Sequence, residues 1–152
     1  MALPTPTDVS TALATRWAAL TALNAIIPAA SKLYLGRTAE RTAFPRARAM
    51  VEKTGSEGTS GPLVLVKFGV VVEAYVLDSD STAVGGLIEK LMNWNNGMAG
   101  SVGWNMPNGL MIQVKPLPGG TTKPTGEQRD GKDVVIVSSK WEALVEGERE
   151  TL

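Results

Sequence analysis

The stretch that decides the fold is LVLVKFGVVVEAYVL, residues Leu63–Leu77. Every second side chain, from Val64 to Val76, is apolar, which is typical of a strand that rests one face on a core. At about 3.3 Å per residue this strand would span roughly 50 Å, whereas a typical strand has about 5–6 residues. The sequence therefore predicts a strand longer than one small core covers, and this indicates a protein that assembles with other chains.

A polar segment, Asp78–Thr82, ends this run, and a helical pattern follows over Ala83–Trp94. The apolar residues of that pattern recur at helical spacing from Val84 to Met92. Asp78 and Asp80 resemble a metal-binding pair, but they stand where a helix start needs acceptors and negative charge. We therefore interpret them as the start of the helix.

The N-terminal part of the chain contains one helical pattern and two strand patterns. A helix is predicted over Asp8–Ala25, capped by Thr7 or Asp8 and ended by Pro28. A short strand is predicted over Ser31–Gly36. The alternation in Arg46–Lys53 predicts a half-buried strand, although its Ala, Arg, Met and Glu content also allows a helix.

Glycine and proline divide the rest of the chain. Gly55–Pro62 reads as a flexible loop, and Gly69 is a candidate bulge or bend within the long strand. Strands are predicted over Leu110–Leu117 and Asp133–Glu146. With the polar Pro118–Lys132 between them, they form an extended hairpin.

The elements follow the order α-β-β-β-α-β-β. This order predicts an α+β fold with a mostly antiparallel sheet, two helices packed on one face, and a long β-hairpin near the C-terminus. We expect a single domain over residues 1–152, with flexible ends at 1–7 and 147–152 and a mobile loop at 118–132.

Composition narrows the possible functions. The 152 residues include equal numbers of basic and acidic side chains, 15 each, and neither cysteine nor histidine. Thiolate nucleophiles, cysteine metal sites and histidine dyads are thereby excluded. We expect no enzyme activity and no cofactor. Neither a signal peptide nor an apolar run of about 18 residues is apparent, so no membrane association is expected.

The second face of the long strand mixes apolar and charged side chains, which is typical of a surface that meets a partner. The only basic cluster, Arg37–Arg48, fits either a DNA backbone or a neighbouring subunit. The residues predicted to contact a subunit or partner are Leu65, Lys67, Val71, Glu73, Tyr75, Arg46, Arg48, Lys123, Arg129 and Lys132.

In this layout the chain resembles the tail terminator proteins of long-tailed bacteriophages. The resemblance is one of pattern and order over most of the chain and includes no diagnostic motif. The segments that carry it are the helix Asp8–Ala25, the Phe44-Pro45 step into Arg46–Lys53, the strand Leu63–Leu77, the helix start Asp78–Thr82, the helix Ala83–Trp94, and the late hairpin whose second strand opens at Arg129–Asp133.

The resemblance implies a structural virion protein in the neck region of the tail, assembled in the host cytoplasm. Such proteins form a ring, usually hexameric, that caps the tail tube, stops its polymerisation and provides the head–tail joining surface. The implied partners are other copies of the chain, the tail tube protein and the head completion or connector protein. DNA would pass through the ring without sequence readout.

Two alternatives remain open from the residues themselves. One is a small ligand-binding or enzymatic α+β domain of ferredoxin-like type, for which Asp78, Asp80, Glu73 and Arg48 are the first candidates. The other is a DNA-contacting accessory protein that uses the Arg37–Arg48 cluster.

Overall fold

A computed structural model describes residues 3–27, 33–35, 44–58, 61–92, 104–119 and 121–149. It confirms an α+β fold with a mostly antiparallel sheet. The helices are α1 (Pro6–Ala19), α2 (Thr21–Ile26) and α3 (Ser81–Met92), and the strands are β1 (Leu33–Leu35), β2 (Arg46–Gly58), β3 (Leu63–Leu77), β4 (Trp104–Met106), β5 (Gly109–Pro116), β6 (Thr122–Arg129) and β7 (Lys132–Glu148).

Within the described residues, seven strands form one sheet in the order β1-β2-β3-β7-β5-β4, and β6 also pairs with β7. The pair β1–β2 is parallel, and the other pairs are antiparallel. The observed element order is α-α-β-β-β-α-β-β-β-β. The predicted order therefore missed a helix break and two strands.

The centre of the sheet is the pair β3–β7, which runs without a register shift from Leu63 opposite Glu148 to Leu77 opposite Val134. The predicted bulge at Gly69 is wrong. The register shift lies instead in the neighbouring strand β2, between Lys53 and Gly55. A Cβ at Gly69 would lie 3.3 Å from Cγ2 of Thr54, so the glycine leaves room for the side chain at this bulge.

The strand predicted over Arg46–Lys53 is confirmed, and it is longer than expected. Part of the segment predicted as a loop, Gly55–Gly58, belongs to β2 and pairs with Val64–Lys67 of β3. A Gly/Ser-rich segment forms a loop when no neighbouring strand offers it hydrogen bonds. Here β3 offers them, so the segment forms part of β2.

The predicted C-terminal hairpin forms, but its loop prediction is wrong over Thr122–Arg129, which is strand β6. Strands β5 and β6 lie end to end along β7, where β5 pairs with its second half and β6 with its first. The turn between β6 and β7 is Asp130-Gly131, with φ values of 51° and 75°. Positive φ at both central residues is characteristic of the tight type I′ hairpin turn that Asp-Gly favours.

The single helix predicted over Asp8–Ala25 is two helices. Thr5, rather than Thr7 or Asp8, is the N-cap, and it forms a capping box in which the Thr5 amide donates to Asp8 Oδ2 at 2.9 Å. The chain leaves helical geometry at Leu20. The Asn24 side chain donates to the carbonyls of Trp17 and Ala18. These hydrogen bonds satisfy backbone acceptors that the end of α1 leaves without helical partners, and they stabilise the break.

The helix predicted over Ala83–Trp94 is confirmed as far as Met92 as α3, preceded by a short 3-10 turn at Asp78–Asp80, and residues 93 and 94 lie outside the described residues. The Ser81 hydroxyl donates to the Asp78 carbonyl at 2.8 Å. These contacts agree with the interpretation of Asp78–Thr82 as a helix start. No helix in the described ranges has the length and apolar character needed to cross a bilayer.

The termini predicted as flexible are described at residues 3–7 and 147–149. Pro4 is buried, and a Cβ placed on Gly147 would lie 2.5 Å from Pro4 Cδ. The segment before α1 therefore contacts the end of β7, and glycine is required there because nothing larger fits.

Residues from one face of the sheet and from the helices form one hydrophobic core. The predicted apolar face of β3 is buried at every position from Val64 to Val76. It belongs to the same cluster as the buried residues of α1, α2 and α3, among which Leu13, Leu23 and Ile88 are fully covered. Each such side chain contributes about 1.5–3 kcal/mol through removal from water.

Two glycine substitutions are expected to change stability in opposite directions. Gly86 lies exposed within α3 with nothing within 4 Å of an added Cβ, so Gly86→Ala should stabilise the fold by roughly 0.5–1 kcal/mol. At Gly109 an added Cβ would lie 2.8 Å from Val145 Cγ1 and 3.0 Å from the Glu146 carbonyl oxygen. Gly109→Ala should therefore destabilise it by about 1–3 kcal/mol.

Urea unfolding followed by circular dichroism measures both changes. Equal shifts of the two variants in the same direction would contradict the contacts described at Gly109.

Candidate functional site

The second face of the sheet carries the charged and aromatic residues that the sequence singled out. We call it the mixed face and define it by the β3 side chains that alternate with the core and by their cross-strand neighbours on β2 and β7. The β3 members are all half-buried: Leu65, Lys67, Gly69, Val71, Glu73, Tyr75 and Leu77.

Arg48 and Glu73 form an ion pair on this face. They lie opposite each other on β2 and β3, and Nε and Nη2 of Arg48 donate to the same oxygen, Glu73 Oε1, at 3.0 and 2.8 Å. Their side chains are 22% and 17% exposed. Partial removal from water strengthens such a pair, and its two donors hold the guanidinium in one orientation.

Arg46 and Tyr75 form the next cross-strand pair. The Arg46 guanidinium lies 4.2 Å from the centre of the Tyr75 ring, a distance that gives cation–π attraction. Arg46 is only 7% exposed, and it is the one buried charged residue among those the structure describes. A buried cation therefore lies on a face that the sequence alone predicts to be half-exposed.

Lys67 makes a weaker contact with Glu57, at 3.8 Å between exposed side chains. Leu65 and Val71 lie on the same face, opposite Glu57 and Met50 of β2. Seven of the ten predicted interface residues therefore share one surface, because alternate positions of β3 and their cross-strand partners on β2 lie on the same side of the sheet: Leu65, Lys67, Val71, Glu73, Tyr75, Arg46 and Arg48.

The other three predicted residues belong to the β6–β7 hairpin. The Arg129 guanidinium lies over the Phe44 ring, 5.3 Å from its centre, and Arg129 pairs with Glu127 at 3.1 Å. Lys123 is opposite Ile136, and Lys132 is opposite Arg129 at the turn. All three cations are exposed. Of these, only Arg129 reaches the mixed-face residues, as a wall of the same cavity as Arg46.

That cavity has a volume of about 580 Å³ and lies between the mixed face and β6. Its lining residues are Arg46, Tyr75, Thr125, Glu127, Arg129 and Ile136. A second cavity, of about 500 Å³, opens where Gly69 lacks a side chain, and its walls include Met50, Val71, Leu117 and Lys140. The mixed face is therefore concave at two places.

The described residues offer little for acid–base or metal chemistry. They contain no group of three or more carboxylate side chains arranged to hold a metal ion. Glu73 is engaged by Arg48, and Asp78 and Asp80 begin a helix. On α1, burial lowers the pKa of the Arg16 guanidinium, which keeps its charge at neutral pH.

Three residues of the candidate site were not predicted from the sequence: Phe44 beside Arg129, and Thr125 and Glu127 in the cavity wall. The Asp130-Gly131 pair, a strong hairpin signal, predicts the strand that carries Thr125 and Glu127. Of the basic cluster, Arg46 and Arg48 are described, whereas Arg37 and Arg41 lie outside the described residues.

Compared with known families and with curated proteins, the chain matches no family model and no curated sequence.

The Arg48–Glu73 pair should show a measurable coupling free energy. In a double-mutant cycle of Arg48→Met and Glu73→Gln, we expect about 1 kcal/mol, because the pair is partly buried and has two donors on one oxygen. The matched control is the exposed Lys67–Glu57 pair, for which about 0–0.5 kcal/mol is expected. Urea unfolding of all variants gives both values, and equal couplings would show that burial contributes nothing to the first pair.

Proposed function

We propose that this chain is a structural virion protein of the tail terminator type. Its copies would form a ring, hexameric as the resemblance implies, that caps the tail tube, stops tube growth and meets the head connector. The protein would act by contact rather than by catalysis. DNA would pass the ring without sequence readout, which suits a chain of zero net charge.

The observation that carries this proposal is the mixed face. It combines the half-buried apolar residues Leu65, Val71 and Met50 with charges that already have partners within the subunit. Apolar positions between fixed, paired charges suit contact with another protein, because burial of the apolar residues is favourable and the paired ions lose less hydration than free ones.

The length of the central strands also supports assembly. Strand β3 has 15 residues and β7 has 17, and they pair along almost their whole length. With α1, α2 and α3 against the core face alone, the mixed face would remain for a neighbouring copy. At the far end of β2, Glu52, Thr54 and Glu57 are exposed and extend this surface.

One observation favours ligand binding as an additional function. The cavity beside Arg46 has the converging polar groups that a pocket needs. Such a pocket is compatible with a ring-forming protein, since it occupies one end of the mixed face. The enzymatic alternative gains no comparable support from the residues near Asp78.

The ring proposal predicts that a charge placed at the centre of the mixed face prevents assembly. Val71→Asp should leave the subunit folded, with Lys140 opposite it on β7, but should weaken self-association at least about tenfold by placing a carboxylate in an apolar contact. Ala83→Asp, on the exposed side of α3, is the matched control and should assemble normally.

Mass photometry and negative-stain electron microscopy measure ring formation, and capping of purified tail tubes tests the activity itself. Circular dichroism confirms folding of each variant. A protein that neither forms rings at high concentration nor binds tube ends would exclude the proposal.

A further inference from the structure

The cavity at Gly69 carries two opposite charges on its walls. Glu52 and Lys140 both line this space of about 500 Å³, and neither belongs to an ion pair among the residues that the structure describes. Both side chains are exposed, and a Cβ placed on Gly69 would lie 3.9 Å from Oε1 of Glu52, so this carboxylate reaches the floor of the cavity. Both charges can therefore meet groups from outside the subunit.

The register of the sheet places Glu52 and Lys140 at opposite corners of a small square on the mixed face. Gly69 and Val71 are successive positions of β3 on this face, and each has one neighbour on β2 and one on β7. Taken in order around the square, the four neighbours are Glu52, Met50, Lys140 and Glu142. The acid Glu52 and the base Lys140 are thus related by one diagonal.

The middle of the cavity is concave and apolar. Gly69 contributes no side chain, and Met50, Val71 and Leu117 stand around it. Met50 and Val71 are half-buried, and Leu117 is 37% exposed. Burial of these side chains against another apolar surface is favourable. The cavity therefore fits a protein surface with an apolar centre and with opposite charges on a diagonal.

A second copy of the same surface meets these requirements. Two sheets pack face to face with their strands either nearly aligned or nearly perpendicular. In the perpendicular arrangement, a two-fold axis along the diagonal from Met50 to Glu142 exchanges the other two corners. Each Glu52 then faces the Lys140 of the other copy, and the contact occurs twice, as it does in every two-fold interface.

We infer that two copies of this chain form a face-to-face dimer centred on Gly69 and held by reciprocal ion pairs between Glu52 and Lys140. Its formation rests on the proposed role of the mixed face in self-assembly and adds a state that precedes the ring. A two-fold contact closes after two copies, so it differs from the contact that builds a ring. Because the dimer covers the mixed face, it must open before the ring forms.

Glu142 lies on the two-fold axis, so the dimer brings two copies of this carboxylate together. Lys115 lies opposite Glu142 on β5 and offsets part of their repulsion. Glu142→Gln removes the like charges and should strengthen dimerisation several-fold.

Sedimentation velocity of the full chain over a range of concentrations measures the dimer. Glu52→Lys and Lys140→Glu should each weaken dimerisation about tenfold or more, because each variant places like charges at both ion pairs. The double variant, which exchanges the two charges, should dimerise like the parent protein. Glu89→Lys makes the same charge change on the exposed side of α3 and is the matched control, with no effect expected.

An equimolar mixture of the two single variants is the decisive sample. In the mixed dimer both ion pairs again join opposite charges, so Glu52→Lys and Lys140→Glu should bind each other more tightly than either binds itself. Altered folding of one variant would not produce this gain. Both residues are exposed, so both variants are expected to fold, and circular dichroism checks this.

Four results would overturn the inference: a chain that stays monomeric at high concentration, a dimer that neither single variant weakens, a mixture without mixed dimers, and weaker dimerisation by Glu142→Gln. Dimerisation is measured without tail tubes, which separates it from the proposed function. A chain that dimerises in this way but neither forms rings nor caps tubes would exclude the ring proposal and leave the dimer. Tube capping by a chain without such mixed dimers would overturn the dimer alone.

Discussion

The unbroken antiparallel pairing of β3 with β7 is the constraint on which the rest of the structure depends. It extends from Leu63 opposite Glu148 to Leu77 opposite Val134. Because side chains alternate along a strand, a slip of one residue would exchange the core face for the mixed face. The completely buried set on β3, with Phe68 at its centre, makes that exchange costly. Strands β2, β5 and β6 are then placed by pairing with these two.

The two faces of β3 serve different purposes. One face holds the core with α1, α2 and α3. The other presents side chains whose positions are set by cross-strand contacts, Arg48 with Glu73 and Arg46 with Tyr75. Such contacts reduce the side-chain entropy that remains to be lost when a partner binds. This preorganisation is consistent with the proposed assembly.

The β6–β7 hairpin forms one side of the cavity on the mixed face. Its tight turn at Asp130-Gly131 returns the chain along β7, and β6 then brings Arg129 and Glu127 to the cavity that Arg46 lines. The contact of Arg129 with Phe44 ties the hairpin to the segment that enters β2. Two cations that are 83 positions apart in the sequence thereby share one cavity.

Local patterns in the sequence determined the long strands, the start of α3 and the α+β class. Alternation from Val64 to Val76 and helical spacing after Asp78 depend only on which face of an element meets the core. Tertiary structure decided what such patterns do not encode. Gly55–Gly58 and Thr122–Arg129 are strands because β3 and β7 offer them hydrogen bonds, although their composition is that of loops. The helix break at Leu20 depends on Asn24 reaching back to α1, and the cavity depends on the register that aligns Arg46 with Tyr75. These features arise from contacts between distant segments, which local composition does not specify.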